Sequence, residues 1–312
     1  MKKILSFTLK FLISGGLLLY LFQFSDIVDV SGVVSTLKHT KLPLFVIAFF
    51  VYLNVIFIST QRWSLFLHEP VKYTRLLSLH FIGSFFNTFL PGIVGGDAVK
   101  AFYLYKDIGK GSHSVISVFI DRYMGFSAMI FIGFIAFIGG FFYIKGTEIV
   151  WIVPVLCGGF ILVSLVLWKL NWGKIKFLNS FYIPLMGYKS KKKLIYKGLL
   201  LGIAVQVINI MSVYILSLAI GLKVPIIYFF IFMPVINTVS AIPISIAGLG
   251  LRETSFAALF NIVFAKVGVT PDQAVGLSVL VFINVCLVNL IGGVEYLRIK
   301  KLPKKKSLKS EV

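Results

Sequence analysis

The chain has 312 residues, of which 58% are hydrophobic, 15% aromatic and 13% charged, with 31 Lys and Arg against 11 Asp and Glu. Soluble domains run at about 45–50% apolar and about 25% charged. This composition excludes a soluble globular enzyme, a disordered chain and a disulfide scaffold, and it leaves a polytopic membrane protein. On such a chain the net charge of +20 reports topology and contact with anionic lipid sooner than nucleic-acid binding.

In chain order, Lys2 and Lys3 precede an apolar run from Phe11 to Phe24, and Ser25-Asp26 follows without a small-x-small cleavage site. This predicts an uncleaved first span with the N-terminus inside. Hydropathy predicts spans at about 4–24, 42–61, 114–144, 149–168, 194–220 and 271–297. Two further apolar regions, 76–111 and 225–267, carry FLPGIVGGD and IPISIAGLGLRE through their middles. A helix does not readily continue through Pro and Gly at that density, and each arm is short for a crossing of roughly 20 residues. Each region therefore reads as a re-entrant hairpin. With the N-terminus inside, 24 of the 31 Lys and Arg fall in 1–10, 62–75, 100–113, 169–197 and the tail from Arg298, as the positive-inside rule requires. The expected architecture is all-α: about six full spans plus two re-entrant hairpins in one membrane domain, 1–300. A basic cytoplasmic tail, 301–312, follows. The expected location is the inner (cytoplasmic) membrane, with both termini cytoplasmic.

The broken regions resemble each other. Asn87-Thr88 precedes Pro91, Gly92, the Gly95-Gly96-Asp97 turn and Lys100. Asn237-Thr238 precedes Pro243, the Gly248-Leu249-Gly250 turn and Arg252-Glu253. The flanking spans repeat at a similar offset, which divides the chain into half-repeats of about 1–146 and 147–300. Three spans per half is odd, so the second copy is expected upside down. Paired Gly/Pro-interrupted segments of this kind point to a binding site near the midplane.

Charges inside a bilayer cost about 2.5–3.5 kcal/mol on insertion scales, so those retained need a reason. They are Asp97, Lys100, Asp121, Arg122, Arg252 and Glu253. Asp97 and Lys100 have the i,i+3 spacing of a helical pair. Asp121 and Arg122 are adjacent and diverge by about 100° on a helix. With Asn87 and Asn237 these residues form the candidate binding set: hairpin tips meet, and backbone N–H groups with Arg122, Arg252 and Lys100 hold an anionic head such as phosphate. The competing reading is that the charges pair internally and hold the broken helices together. Asn54, Gln206, Asn209, Asn284 and Asn289 read as helix-joining hydrogen bonds. Arg62-Trp63 reads as an interfacial anchor, and Glu295 as facing water or the tail. Gly139-Gly140 and Gly158-Gly159 read as close helix packing, and Cys157 and Cys286 as small core residues. His39, His68, His80 and His113 stand apart in sequence, and no HExxH, Cys/His cluster or P-loop occurs, so no metal or cofactor is expected. The basic runs Lys189–Lys193 and Lys300–Lys309 adjoin spans and suit anionic lipid head groups, not nucleic acid.

The run Phe86-Asn87-Thr88-Phe89-Leu90-Pro91-Gly92 with Gly95-Gly96-Asp97-Ala98-Val99-Lys100 resembles the flippase-like membrane family named for the transmembrane region of lysylphosphatidylglycerol synthase. Asp121-Arg122-Tyr123-Met124-Gly125 is similar to its second motif, and Pro243 with Gly248-Leu249-Gly250-Leu251-Arg252-Glu253 to its third. Gln61-Arg62-Trp63 also fits, and the resemblance spans about residues 5–300. It implies an integral membrane protein that moves an anionic or aminoacylated phospholipid, or a polyprenyl-linked lipid, between leaflets. The synthase's aminoacyl-transferase domain does not follow the last span, so no synthase activity is expected. Two other readings remain open: a membrane-embedded transferase on a lipid phosphate, and a non-transporting subunit of a lipid-modifying complex. The sequence also leaves a homodimer open.

Overall fold

The structure, a computed structural model, describes residues 15–16, 28–89, 95–169, 187–188, 191–242, 245, 248–263 and 267–301. Every regular element among them is a helix: α1 Val30–Lys38, α2 Leu42–Ser64, α3 Tyr73–Phe89, α4 Gly95–Ile108, α5 Gly111–Gly139, α6 Phe141–Ile144, α7 Ile149–Lys169, α8 Lys192–Ala219, α9 Ile226–Ser240, α10 Leu251–Ile262 and α11 Pro271–Lys301. Five of these, α2, α5, α7, α8 and α11, are long and apolar enough to cross a membrane. They coincide with five of the six expected spans. The sixth, 4–24, lies outside the described residues except for Gly15 and Gly16, which are helical. Pro91, Gly92 and Pro243 of the expected turns, most of 169–190 and the tail from residue 302 also lie outside them.

The two interrupted regions form helical hairpins. Their arms hold 17, 14, 15 and 12 residues. At 1.5 Å per residue that is about 18–26 Å, short of a hydrocarbon core of about 30 Å. In the first hairpin, α3 and α4 run antiparallel. Arg75 Nε and Nη2 donate to Asp107 at 2.7 and 3.1 Å across the open end. At the tip, Asn87 Oδ1 accepts from the Gly96 backbone N–H at 3.0 Å, which satisfies one orphan donor of the α4 N-terminus. The arms touch so closely there that a Cβ on Gly96 would lie 2.0 Å from the Gly83 carbonyl oxygen. The second hairpin turns through Gly250, at φ 85°, a conformation L side chains rarely adopt. The Gly250 N–H donates to Glu253 Oε2 at 2.8 Å, which caps α10.

The hairpins pack among the long helices. α2 packs on α8; α5 packs on α8 and α9, and α11 correspondingly on α2 and α3; α4 packs on α5 as α10 does on α11. The main core sits around the second hairpin, where Phe229, Phe232, Phe256 and Phe260 are fully buried against α5, α8 and α11. A smaller core under the first hairpin gathers Trp63, Leu76, Leu79 and Leu104. α7 lies at the periphery and leaves Trp151 and Leu162 exposed, as a lipid-facing surface does.

Two expectations need correction. α1 is additional to the expected elements; Asp29 caps it by accepting from the Ser31 N–H, and the Asp29 N–H donates to Asp272 Oδ1 at the start of α11. Gly139, Gly158 and Gly159 face open space instead of a neighbouring helix, and of the four packing glycines only Gly140 is crowded, by Ile227 and Ile231. The sequence reading failed because an apolar helix looks the same whether it faces lipid or protein.

Gly96→Ala is expected to lower thermal stability in detergent by about 1–3 kcal/mol, the range for overpacking, because backbone faces the added carbon. Gly158→Ala is expected to leave it unchanged or slightly raised. Equal effects from the two substitutions would refute the close crossing at the first hairpin tip.

Candidate binding site in the central cavity

Polar side chains line one face of each central helix. On α3, His80, Ser84 and Asn87 recur at helical spacing, and Tyr52, Ser59 and Arg62 do so on α2. These faces converge with α5, α8, α9, α10 and α11 on two adjoining cavities. The larger, about 280 Å³, is lined among others by Tyr52, Ser59, Arg62, His80, Ser84, Arg122, Gln206, Asn209 and Asn237. The smaller, about 230 Å³, is lined by Tyr52, Ser84, Asn87, Thr88, Arg122, Arg252, Phe282, Val285 and Asn289. Tyr52, Ser84 and Arg122 belong to both, so Arg122 stands on the wall between them.

Behind this wall lies an ion cluster. Asp121 Oδ1 accepts from Arg62 Nε at 2.8 Å, and Lys100 Nζ lies 3.6 Å from Asp121 Oδ2. All three side chains are 7% exposed or less. Two cations share one carboxylate, and Lys100 gains a second partner by sitting 3.9 Å from the centroid of the Trp63 ring. Trp63 is itself fully buried and donates Nε1–H to Ser117 Oγ. Gly125 makes room for the Arg62 guanidinium, since a Cβ there would lie 2.9 Å from Nη1. That Nη1 is buried and, among the described residues, has no hydrogen-bond partner, and the same holds for His80 Nδ1 and Asn289 Oδ1.

The ion pairs of Arg122 and Arg252 are less enclosed. Arg122 Nη2 donates to Asp97 Oδ1 at 2.8 Å, yet 54% of the Arg122 side chain stays accessible although it sits well inside α5. Arg252 Nε donates to Glu253 Oε1 and to Ser278 Oγ, both at 3.1 Å, and its guanidinium lies over the Phe282 ring. Ser278 in turn donates to Glu253. Asp97, Asp121 and Glu253 thus each serve a different cation, and among the described residues no three His, Cys, Asp or Glu side chains gather as metal ligands would.

The chain matches the family model described as the lysylphosphatidylglycerol synthase TM region over residues 7–293. It belongs to this family. No curated protein matches it.

In this member of the lysylphosphatidylglycerol synthase TM region family, the three sequence motifs meet around the cavity. Asn87, Arg122, Asn237 and Arg252 line it, whereas Asp97, Lys100, Asp121 and Glu253 stand behind it as partners of its cations. Gly95 and Gly96 open α4, and Gly248 and Gly250 precede α10. Asp97 and Lys100 do not pair with each other despite their spacing; the two side chains of the Asp121-Arg122 motif separate them. Arg62-Trp63 is no interfacial anchor: both are buried, Arg62 on the wall of the larger cavity and Trp63 in the core beside Lys100. Gln206, Asn209 and Asn289 are wall residues, and two of them also connect helices: Gln206 Nε2 donates to the Gly125 carbonyl at 3.3 Å and Asn289 Nδ2 to Thr88 Oγ1 at 2.8 Å. Glu295 accepts from Ser78 Oγ at 2.7 Å and pairs with Arg298.

The histidines are not all apart. His68 and His113 have ring centroids 4.6 Å apart near the ends of α2 and α5, beside Tyr188, whose hydroxyl donates to the Phe66 carbonyl at 2.7 Å. Burial, then His113, holds the His68 imidazole below its usual value, and burial pushes the Tyr188 hydroxyl up to about 12.

Asp121→Asn is expected to cost about 3–5 kcal/mol, because it leaves Arg62 and Lys100 charged and unpaired in an apolar surround. Asp97→Asn is expected to cost about 1 kcal/mol or less, since the Arg122 it leaves is accessible to water. Thermal unfolding in detergent measures both; a larger loss for Asp97→Asn would overturn this ranking.

Proposed function

We propose that the protein moves a lipid with an anionic head group between leaflets, the head passing through the central cavity while the acyl or polyprenyl chains stay in the bilayer. The observation that carries this reading is the position of Arg62, Arg122 and Arg252. All three line water-sized space among apolar helices, and about half of the Arg122 side chain is accessible. A guanidinium offers forked donors that match phosphate oxygens. Each cavity is just below the range of about 300–1,000 Å³ usual for whole small-molecule ligands, which suits a head group with its tails outside.

The architecture supports the same reading. Helix contacts pair off between the halves, and both broken segments contribute to the cavity, as in transporters built from inverted repeats. Short hairpin arms fit re-entrant segments that place their tips at the site. The two halves rocking about this site would open it to one leaflet at a time. An inside-negative potential favours outward movement of an anion by about 2.3 kcal/mol per charge per 100 mV. The sequence has no P-loop, so coupling to a gradient or downhill movement suffices for this proposal. The location that follows is a cell membrane with both termini cytoplasmic.

The test is a leaflet-resolved assay in proteoliposomes with labelled phosphatidylglycerol. Wild type is expected to accelerate its exchange between leaflets. Arg122→Gln and Arg252→Gln are each expected to slow exchange about tenfold or more, as loss of a charged hydrogen bond of about 1.5–3 kcal/mol implies. Exchange by both variants at the wild-type rate, with their folding intact, would refute the site.

A further inference from the structure

The cavity wall has a one-sided chemistry. Its charged residues are Arg62, Arg122 and Arg252, and among the described residues no Asp or Glu lines either chamber. The carboxylates that neutralise these arginines sit behind them and are already engaged. Asp121 is held by Arg62 and Lys100, Glu253 by Arg252, Ser278 and the Gly250 N–H, and Asp97 by Arg122. The cluster as a whole carries four cations against three carboxylates and keeps a positive excess. The remaining polar wall is neutral: Gln206, Asn209 and Asn237 in the larger chamber, Asn87, Thr88 and Asn289 in the smaller. Amides and hydroxyls of this kind both donate and accept, which suits hydroxyl groups.

We infer that the head group accepted here is a phosphate bearing a neutral polyol or sugar, and that a cationic, aminoacylated head is rejected. This rests on the proposed lipid-head site and narrows its substrate class. The phosphate sits at Arg122, the cation that lines both chambers, with Arg62 on the wall of the larger chamber and Arg252 on that of the smaller. The hydroxyl-bearing part lies among the neutral amides. An ammonium group would face three guanidinium groups and find no unengaged carboxylate on the wall. Like charges opposed across a site of this kind select strongly against the wrong ligand.

The experiment is lipid binding to the purified full-length protein, read by native mass spectrometry with phosphatidylglycerol, lysylphosphatidylglycerol and diacylglycerol as probes. Wild type is expected to bind phosphatidylglycerol at least about tenfold more tightly than lysylphosphatidylglycerol, a single tenfold step being the effect of about one charge contact, and to leave diacylglycerol unbound. Gln206→Glu, or Asn209→Asp should the first variant fail to fold, places a carboxylate on the wall. Either is expected to reverse the order of the two phospholipids. If wild type binds lysylphosphatidylglycerol as tightly as phosphatidylglycerol and Arg122→Gln weakens binding, the head-group selectivity is wrong and the lipid site stands. If neither phospholipid binds better than diacylglycerol and Arg122→Gln changes nothing, the site itself is wrong and the selectivity falls with it.

Discussion

One carboxylate between two buried cations organises the bundle. Asp121 sits on α5, Arg62 on α2 and Lys100 on α4, so a single anion fixes the first hairpin against two long helices. In an apolar surround none of the three can lose its partner cheaply. The excess positive charge finds the face of Trp63, and Gly125 leaves space for the guanidinium beside it. A residue sequence as compact as Asp121-Arg122-Tyr123-Met124-Gly125 therefore carries three structural duties at once. Asp121 anchors, Arg122 points the other way into the cavity, and Gly125 admits Arg62 from the neighbouring helix.

The contrast between Arg62 and Arg122 shows how one bundle holds both a structural and an accessible cation. Both pair with a carboxylate at 2.8 Å. Arg62 is enclosed on nearly every side and fixes geometry. Arg122 keeps about half its side chain open and lines both cavities. The reading in which intramembrane charges serve only as internal ties fits Arg62, Asp121 and Lys100 but leaves the accessible face of Arg122 without a purpose.

Much of this was legible in the sequence, for identifiable reasons. Five spans followed from long apolar runs, and both hairpins followed from Pro and Gly where a helix cannot continue. The divergence of Asp121 and Arg122 followed from the 100° step of a helix. What escaped was pairing across the fold. Asp97 and Lys100 have the spacing of an intrahelical pair, but spacing carries no information about competitors on α5 that outbid it. Arg62-Trp63 lies at a helix end, where interfacial anchors also lie, so its burial under the first hairpin was invisible. The polar stripe His80, Ser84, Asn87 was readable in principle: three polar side chains at i, i+4 and i+7 in an apolar segment mark a face turned toward something polar. The hairpin's proline and glycines drew attention away from it.

The distribution of rigidity also bears on how such a bundle could change shape. The arms of the first hairpin are joined to each other by Arg75–Asp107, Asn87 and the Gly83–Gly96 crossing, and to α2 and α5 by the buried ion cluster. The second hairpin is held differently: Arg252 and Glu253 tie α10 to Ser278 of α11, the Tyr228 hydroxyl donates to the Tyr143 carbonyl at 3.3 Å, and the rest of its contact is the aromatic core of Phe229, Phe232, Phe256 and Phe260. Apolar surfaces slide over one another at little cost when the alternative environment is lipid, whereas a desolvated ion cluster resists separation. A rocking motion would therefore leave Arg62, Lys100 and Asp121 fixed and carry the second hairpin past them. In the transport proposed, Arg122, on the boundary between the chambers and tied by a single accessible ion pair, would be the cation best placed to stay with the head group through such a movement.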